Sequence, residues 1–161
     1  MKYTAWIVLL SAILAIACKK SDKKDCPADT YTYTFLNDAK LDSVRVGGVS
    51  TVVANTGGAK RAFVYRWDYT TCPEIADGDH GHSLLFEVNP ALTYFKYPAD
   101  SFRAIRCSFC PYNSYGMAQA VTTPASGTIE GTKINDNQWK LSIDVTINAS
   151  QRLQVVHDFY K

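Results

Sequence analysis

The chain is short of the residues on which most catalysis rests. It has three histidines, His80, His82 and His157, among 161 residues. A nucleophile needs a base held by a third group, so few such sets can be drawn. There is no G-x-S-x-G elbow and no carboxylate pair at a telling spacing. Outside the first 17 residues no eleven-residue window carries a helical apolar stripe, which argues against an α-helical fold. Internal repeats and a second domain are also lacking.

What is present begins with an unusual N-terminus. After Lys2, the 13 residues Ala5 to Ala17 carry no charge, and Ser11 is the only polar interruption after Trp6. A bilayer-crossing helix needs about 20 apolar residues. A shorter run behind one basic residue and ending in a small one has the layout of a secretory signal peptide. Cys18 follows, and then "KKSDKKD", which contains no apolar residue and cannot repay the entropy of ordering. Those seven residues span at most about 25 Å.

Leu14, Ala15, Ile16, Ala17 and Cys18 resemble the lipobox of bacterial lipoproteins, with Ala15 where that family usually has leucine. The resemblance implies cleavage before Cys18, a diacylglyceryl group on its sulfur and a lipid anchor in the cell envelope. Two or more acyl chains give stable anchoring where one gives marginal binding. A charged stretch behind the cysteine is similar to many lipoproteins of the Bacteroidota, which implies the outer membrane and leaves the periplasmic or surface face open. The expected organisation is a signal peptide at 1–17, a lipidated cysteine and tether at 18–25, and one domain at 26–161. The lysines read as a spacer with a minor attraction to anionic headgroups.

Losing Lys2 takes the net charge from +2 to +1, and setting aside the tether's four lysines and two aspartates leaves the domain near −1. Such a domain is a poor match for nucleic acid, whose binding comes largely from neutralising phosphates. Cys26, Cys72, Cys107 and Cys110 remain. An even count in an exported chain favours two disulfides over free thiols. A Cys107–Cys110 bridge requires a turn between them, so long-range pairing to the Cys107 region is expected.

"WKLSIDVTI", 139 to 147, alternates without a break, with Trp139, Leu141, Ile143, Val145 and Ile147 on one face, and predicts a half-buried strand. "NDN" at 135 to 137 joins it to "SGTIEGTKI", and "RLQVVHDFY" follows with His157 in the core-facing register. Upstream, "YTYTFL", "LDSVRV", "STVVAN", "RAFVYRWDYT", "HSLLFEV", "SFRAIRC" and "GMAQAV" read as short strands between turn-prone pieces. Eight to ten strands in about 135 residues predict an all-β fold, an antiparallel β-sandwich of Ig-like or jelly-roll-like kind or a small barrel. Phe63, Tyr65, Trp67 and Tyr69 share one face and read as core.

Three clusters are candidate sites. "DGDHGH" places Asp77, Asp79, His80 and His82 on a glycine-rich loop, a donor set suited to zinc or copper; a variant pairs His80 and His82 with Cys107 and Cys110. "CSFC" has the spacing of a thiol oxidoreductase pair but follows a strand-like run, whereas a reactive thiolate is stabilised at a helix N-terminus. Tyr94, Tyr97, Tyr112 and Tyr115 crowd into loop-like segments beside Asn and Asp, where rings could stack on a glycan or meet an envelope protein. Asp42, Ser43 and Val44 also resemble the short O-glycosylation sequon of Bacteroidota exported proteins. The sequence thus points to binding before catalysis, with metal capture by Asp77 to His82 as the alternative.

Overall fold

The computed structural model describes residues 28–46, 48–70, 80–113 and 120–161. Its last three strands form where alternation is cleanest. β7 (Ser126–Asn135), β8 (Gln138–Asn148) and β9 (Gln151–Tyr160) make two successive hairpins. Side-chain amides set both turns: Asn137 N–H donates to Asn135 Oδ1 at 2.9 Å and Ser150 N–H to Asn148 Oδ1 at 3.0 Å, the local bonding that suits Asn to turns. Trp139, Leu141, Ile143, Val145 and Ile147 are all buried, each contributing about 1.5–3 kcal/mol through burial.

The stretches 31–36 and 41–46 are one strand, β1 (Thr30–Val46), not two. It bends at Asp38, which adopts φ 49° and accepts a 2.8 Å hydrogen bond from Gly58 N–H; aspartate tolerates that region better than most residues. Before the bend β1 pairs with β3 (Lys60–Tyr69), and after it mainly with β2 (Val49–Thr56). β4 (His80–Val88) and β6 (Ser108–Tyr112) extend the sheet beyond β3, and β5 (Tyr94–Pro98) pairs with β7 at the other extreme. The nine described strands form one sheet in the order β5-β7-β8-β9-β1-β3-β4-β6, with β2 alongside β1. Its pairings are antiparallel except where β9 meets β1, at Thr34 and Tyr160.

One cluster gathers Phe35, Phe63, Phe86, Phe95, Phe109, Ile129, Trp139 and Phe159 from β1 and β3 through β9. Side chains from strands at both extremes of a single sheet meet this way only if the sheet curls on itself, giving a half-barrel, the sandwich-or-barrel class expected. A second cluster lies on the outer face, where Ala39, Leu41, Val52 and Ala54 of the β1–β2 hairpin cover Ala62, Val64, Leu85 and Cys110. β3 and β4 are therefore buried on both faces in part, which is why "RAFVY" and "LLFEV" do not alternate in polarity. Buried Glu87 fastens the hairpin, accepting from Leu41 N–H at 2.6 Å and from Arg106 Nη1 at 3.1 Å.

Two local expectations are corrected. "SFRAIRC" is not a strand but a 3₁₀ turn at Ala99–Ser101 continued by tight turns to residue 106. Phe102 and Ile105, three apart, both point inward, the spacing of a helical turn. "TYFKYP" and "SFCPY", whose composition reads as loop-like, are strands β5 and β6. In β5 the Phe95 ring lies over Gly131 on β7, where an added Cβ would collide with it.

Candidate functional site

The two ends of the half-barrel differ. At one, Arg61 turns inward, its guanidinium 4.9 Å from the Trp139 ring and 5.6 Å from that of Phe35, and its Nε donates to Asn37 Oδ1 at 2.7 Å. Arg61 and Trp139 are buried and close that end. Burial lowers the Arg61 pKa.

The opposite end carries a continuous row of rings from four strands. His157 of β9 stacks on Tyr33 of β1 with centroids 3.8 Å apart and planes 5° apart. Tyr33 meets Tyr65 of β3 at 5.6 Å, and Tyr65 meets His82 of β4 at 5.7 Å. His82 packs 5.0 Å from both Trp67 and Phe109, while His80 lies 4.5 Å from Tyr69 and edge-on to Trp67. Tyr31 runs parallel to Tyr33, 8° between planes, and is half exposed. Asp29 orients the Trp67 indole, accepting from Nε1 at 3.1 Å. The alternation of β3 and β4 puts Tyr65, Trp67, His80 and His82 on one face, so the chain's three histidines all join the row.

The electrostatics of the row's inner part are those of a neutral surface. Burial drives the His82 pKa down to about 4, and its Nε2 is buried without a hydrogen-bond partner among the described residues. Tyr65 rises to about 12, chiefly by burial and then through neighbouring tyrosines; Tyr33 rises for the same reasons. An inner row that stays uncharged near neutral pH suits stacking rather than proton transfer.

The residues singled out from sequence are dispersed. Cys18, Cys26, Cys72, Asp77, Asp79 and Tyr115 lie outside the described residues. His80 and His82 stand on one face of β4, but no group of three His, Cys, Asp or Glu side chains able to hold a metal occurs among the described residues, which removes the His80, His82, Cys107, Cys110 set. Cys107 sits in the inner cluster and Cys110 in the outer one, both as free thiols. The long-range bridges expected to the Cys107 region are therefore not formed. Burial lifts the Cys107 thiol to about 12 and also raises Cys110, against hydrogen bonds involving the Val52 backbone, Thr51 and Ser83. Neither is a poised nucleophile.

Tyr94 and Tyr97 belong to β5 and Tyr112 to β6, the two ends of the strand order, and no ring contact among the described residues joins them to Tyr112. Tyr94 is half exposed and donates to Glu130 at 3.1 Å; Tyr97 stacks on Phe95. Tyr112 lies across Gly81 on the outer face, its hydroxyl within reach of the Asp68 carboxylate and 3.0 Å from the Trp67 carbonyl, with Arg66 above the ring. Burial and the hydrogen bond to Asp68 push its pKa to about 12. A shallow cleft of about 250 Å³ beside it is lined by Thr51, Val52, Arg66, Ser83 and Cys110.

The signal for the row was the stripe Tyr65, Trp67, Tyr69 together with His80 and His82 at alternate positions. No family model, curated protein or solved structure matches the chain.

Proposed function

We propose that the protein is a lipid-anchored component of the bacterial envelope, held through Cys18, whose half-barrel is a binding module for a ring-bearing ligand, a carbohydrate being the best chemical match. The observation that carries this reading is the row Tyr31, Tyr33, Trp67, His80 and His157, part buried and part open to solvent. Aromatic faces with polar edges stack on the C–H faces of sugars while their N–H and O–H groups reach ring hydroxyls. The lipid anchor rests on the run Leu14 to Cys18 and on the tether that follows. No helix among the described residues is long and apolar enough to cross a membrane.

The test is a panel of envelope and dietary polysaccharides offered to the parent and to Tyr31→Ala, His157→Ala and Tyr94→Ala variants. Binding by the parent that falls about tenfold for Tyr31→Ala and His157→Ala, with Tyr94→Ala unaffected, is the expected result. A parent that binds nothing, or loses binding only through Tyr94, would remove the row from the function. Replacing Cys18 with serine and finding the protein still acylated would remove the anchor.

A further inference from the structure

One rung of the sheet runs from the aromatic row into a recess that the row does not fill. Tyr31 on β1 pairs with Trp67 on β3, Trp67 with His82 on β4, and His82 with Pro111 on β6. Three interstrand steps of about 4.8 Å put Pro111 about 14 Å from Tyr31 along the sheet. Beside Pro111 lies a recess of about 300 Å³ that reaches to the β8–β9 turn. That volume is at the lower end for small-molecule sites, enough for one sugar residue and not for a chain of them.

The lining divides by polarity. Phe109 and Ile147, both buried in the inner cluster, form an apolar floor with Pro111. The floor joins the row directly, since the Phe109 ring lies 5.0 Å from that of His82. Thr122, Asn148 and Gln151 form a rim of polar groups, and none of the lining residues is charged. Two backbone hydrogen bonds with Phe109, at 2.7 and 3.0 Å, fix Thr122 against β6. Asn148 Oδ1 already accepts from Ser150 N–H and Oγ. Among the described residues, Asn148 Nδ2, the Gln151 amide and the Thr122 hydroxyl make no hydrogen bond.

The group that fits such a recess has a methyl end and an amide. A carboxylate, phosphate or ammonium would lose hydration there without gaining an opposite charge. A hydroxyl alone leaves the floor uncovered, and a deoxy-sugar methyl leaves the rim unpaired. An acetamido group satisfies both: its methyl rests on Phe109 and Ile147, its N–H donates to an amide or hydroxyl oxygen, and its carbonyl accepts from an amide N–H.

We infer that this recess is a subsite for the acetamido group of an N-acetylated sugar, whose neighbouring residues in the same glycan stack along Trp67 and Tyr31. The inference rests on the carbohydrate reading of the row and narrows it. Gln151, which offers both a donor and an acceptor, sets the specificity, and Thr122 assists it.

The full chain is titrated calorimetrically with chitotetraose and cellotetraose, which differ only in an acetamido group or a hydroxyl at C2, and with the deacetylated glucosamine tetramer. The parent is expected to bind chitotetraose about tenfold tighter than the other two. In saturation-transfer NMR the acetamido methyl of chitotetraose should be the most strongly saturated group. Gln151→Leu and Thr122→Val, each checked for an unchanged melting temperature, should lower the preference for chitotetraose, whereas Tyr31→Ala should weaken chitotetraose and cellotetraose alike. Equal binding of the three tetramers, or a preference that survives in both rim variants, would overturn the subsite; loss of that binding through Tyr31→Ala would still uphold the row. A parent that binds no tetramer would also overturn the subsite, and the polysaccharide panel then judges the row by itself.

Discussion

His157 and Tyr33 lie face to face, 3.8 Å between ring centroids, beside the single place where β9 meets β1 in parallel through Thr34 and Tyr160. That seam joins the β7–β8–β9 hairpins to the rest of the sheet. Among the described residues one backbone pair holds it, so side chains must supply part of the connection. A stacked aromatic pair adds about 0.5–1.5 kcal/mol beyond its buried area. His157→Ala is expected to cost about 1 kcal/mol in urea unfolding, and His157→Phe to recover most of it. An alanine variant as stable as the parent would mean that the rings carry no load at the seam.

Arg61 closes the opposite end with a buried charge whose Nη1 finds no partner among the described residues. Removing an under-satisfied buried charge while keeping its volume is often neutral or stabilising, whereas truncation loses packing as well. Arg61→Met should match or exceed the parent in melting temperature. Arg61→Ala should fall below it by the equivalent of about 2 kcal/mol or more, through the space left over Trp139 and Phe35. A large loss with methionine would show that the charge itself is required.

Gly81 has no room for a side chain, since an added Cβ would meet both the Trp67 carbonyl and the Tyr112 hydroxyl. The hydroxyl can swing away, but the carbonyl belongs to the β3 backbone and cannot. Gly81→Ala is expected to lower stability by about 2–3 kcal/mol, by overpacking. Tyr112→Ala with Gly81→Ala should not restore it. Full rescue by the double variant would place the conflict in the tyrosine ring.

The parts of the fold legible in the sequence are those governed by alternation. β8 is read from Trp139 to Ile147 because one face is buried and the other wet, and β7 and β9 follow from its turns. β5 and β6 are not legible in the sequence because Pro98, Pro111 and the neighbouring tyrosines look like loop chemistry. Prolines are tolerated at the ends and edges of sheets, and these two strands end the strand order. The turn at Phe102 and Ile105 was hidden by a reading at period 2 of a segment spaced by three. At the candidate site, the sequence pattern groups Trp67 and Tyr69 as core with Phe63 and Tyr65. Local pattern shows which face a residue takes; it does not show where along the strand the curled sheet stops covering that face. His157 meets Tyr33 through the order of strands, which only the tertiary structure supplies.

His82 makes stability depend on pH in a predictable direction. Folded, its pKa is depressed to about 4 by burial against Tyr65, Trp67 and Phe109; unfolded, an imidazole titrates near 6.5. Between those values the unfolded chain binds a proton that the folded chain excludes, so stability falls as pH falls from about 6.5 towards 4 and is fully retained above that window. The ring is partly open to water, which screens the effect, and about 2 kcal/mol is the expected loss across the window. Carboxylates also titrate there, so the reading is a difference between parent and His82→Phe, each unfolded in urea at pH 7.5 and pH 4.5. The variant should lose about 2 kcal/mol less than the parent on acidification. Equal losses in the two proteins would mean that His82 is protonated in the folded state, and that the inner part of the aromatic row is charged in mild acid rather than neutral.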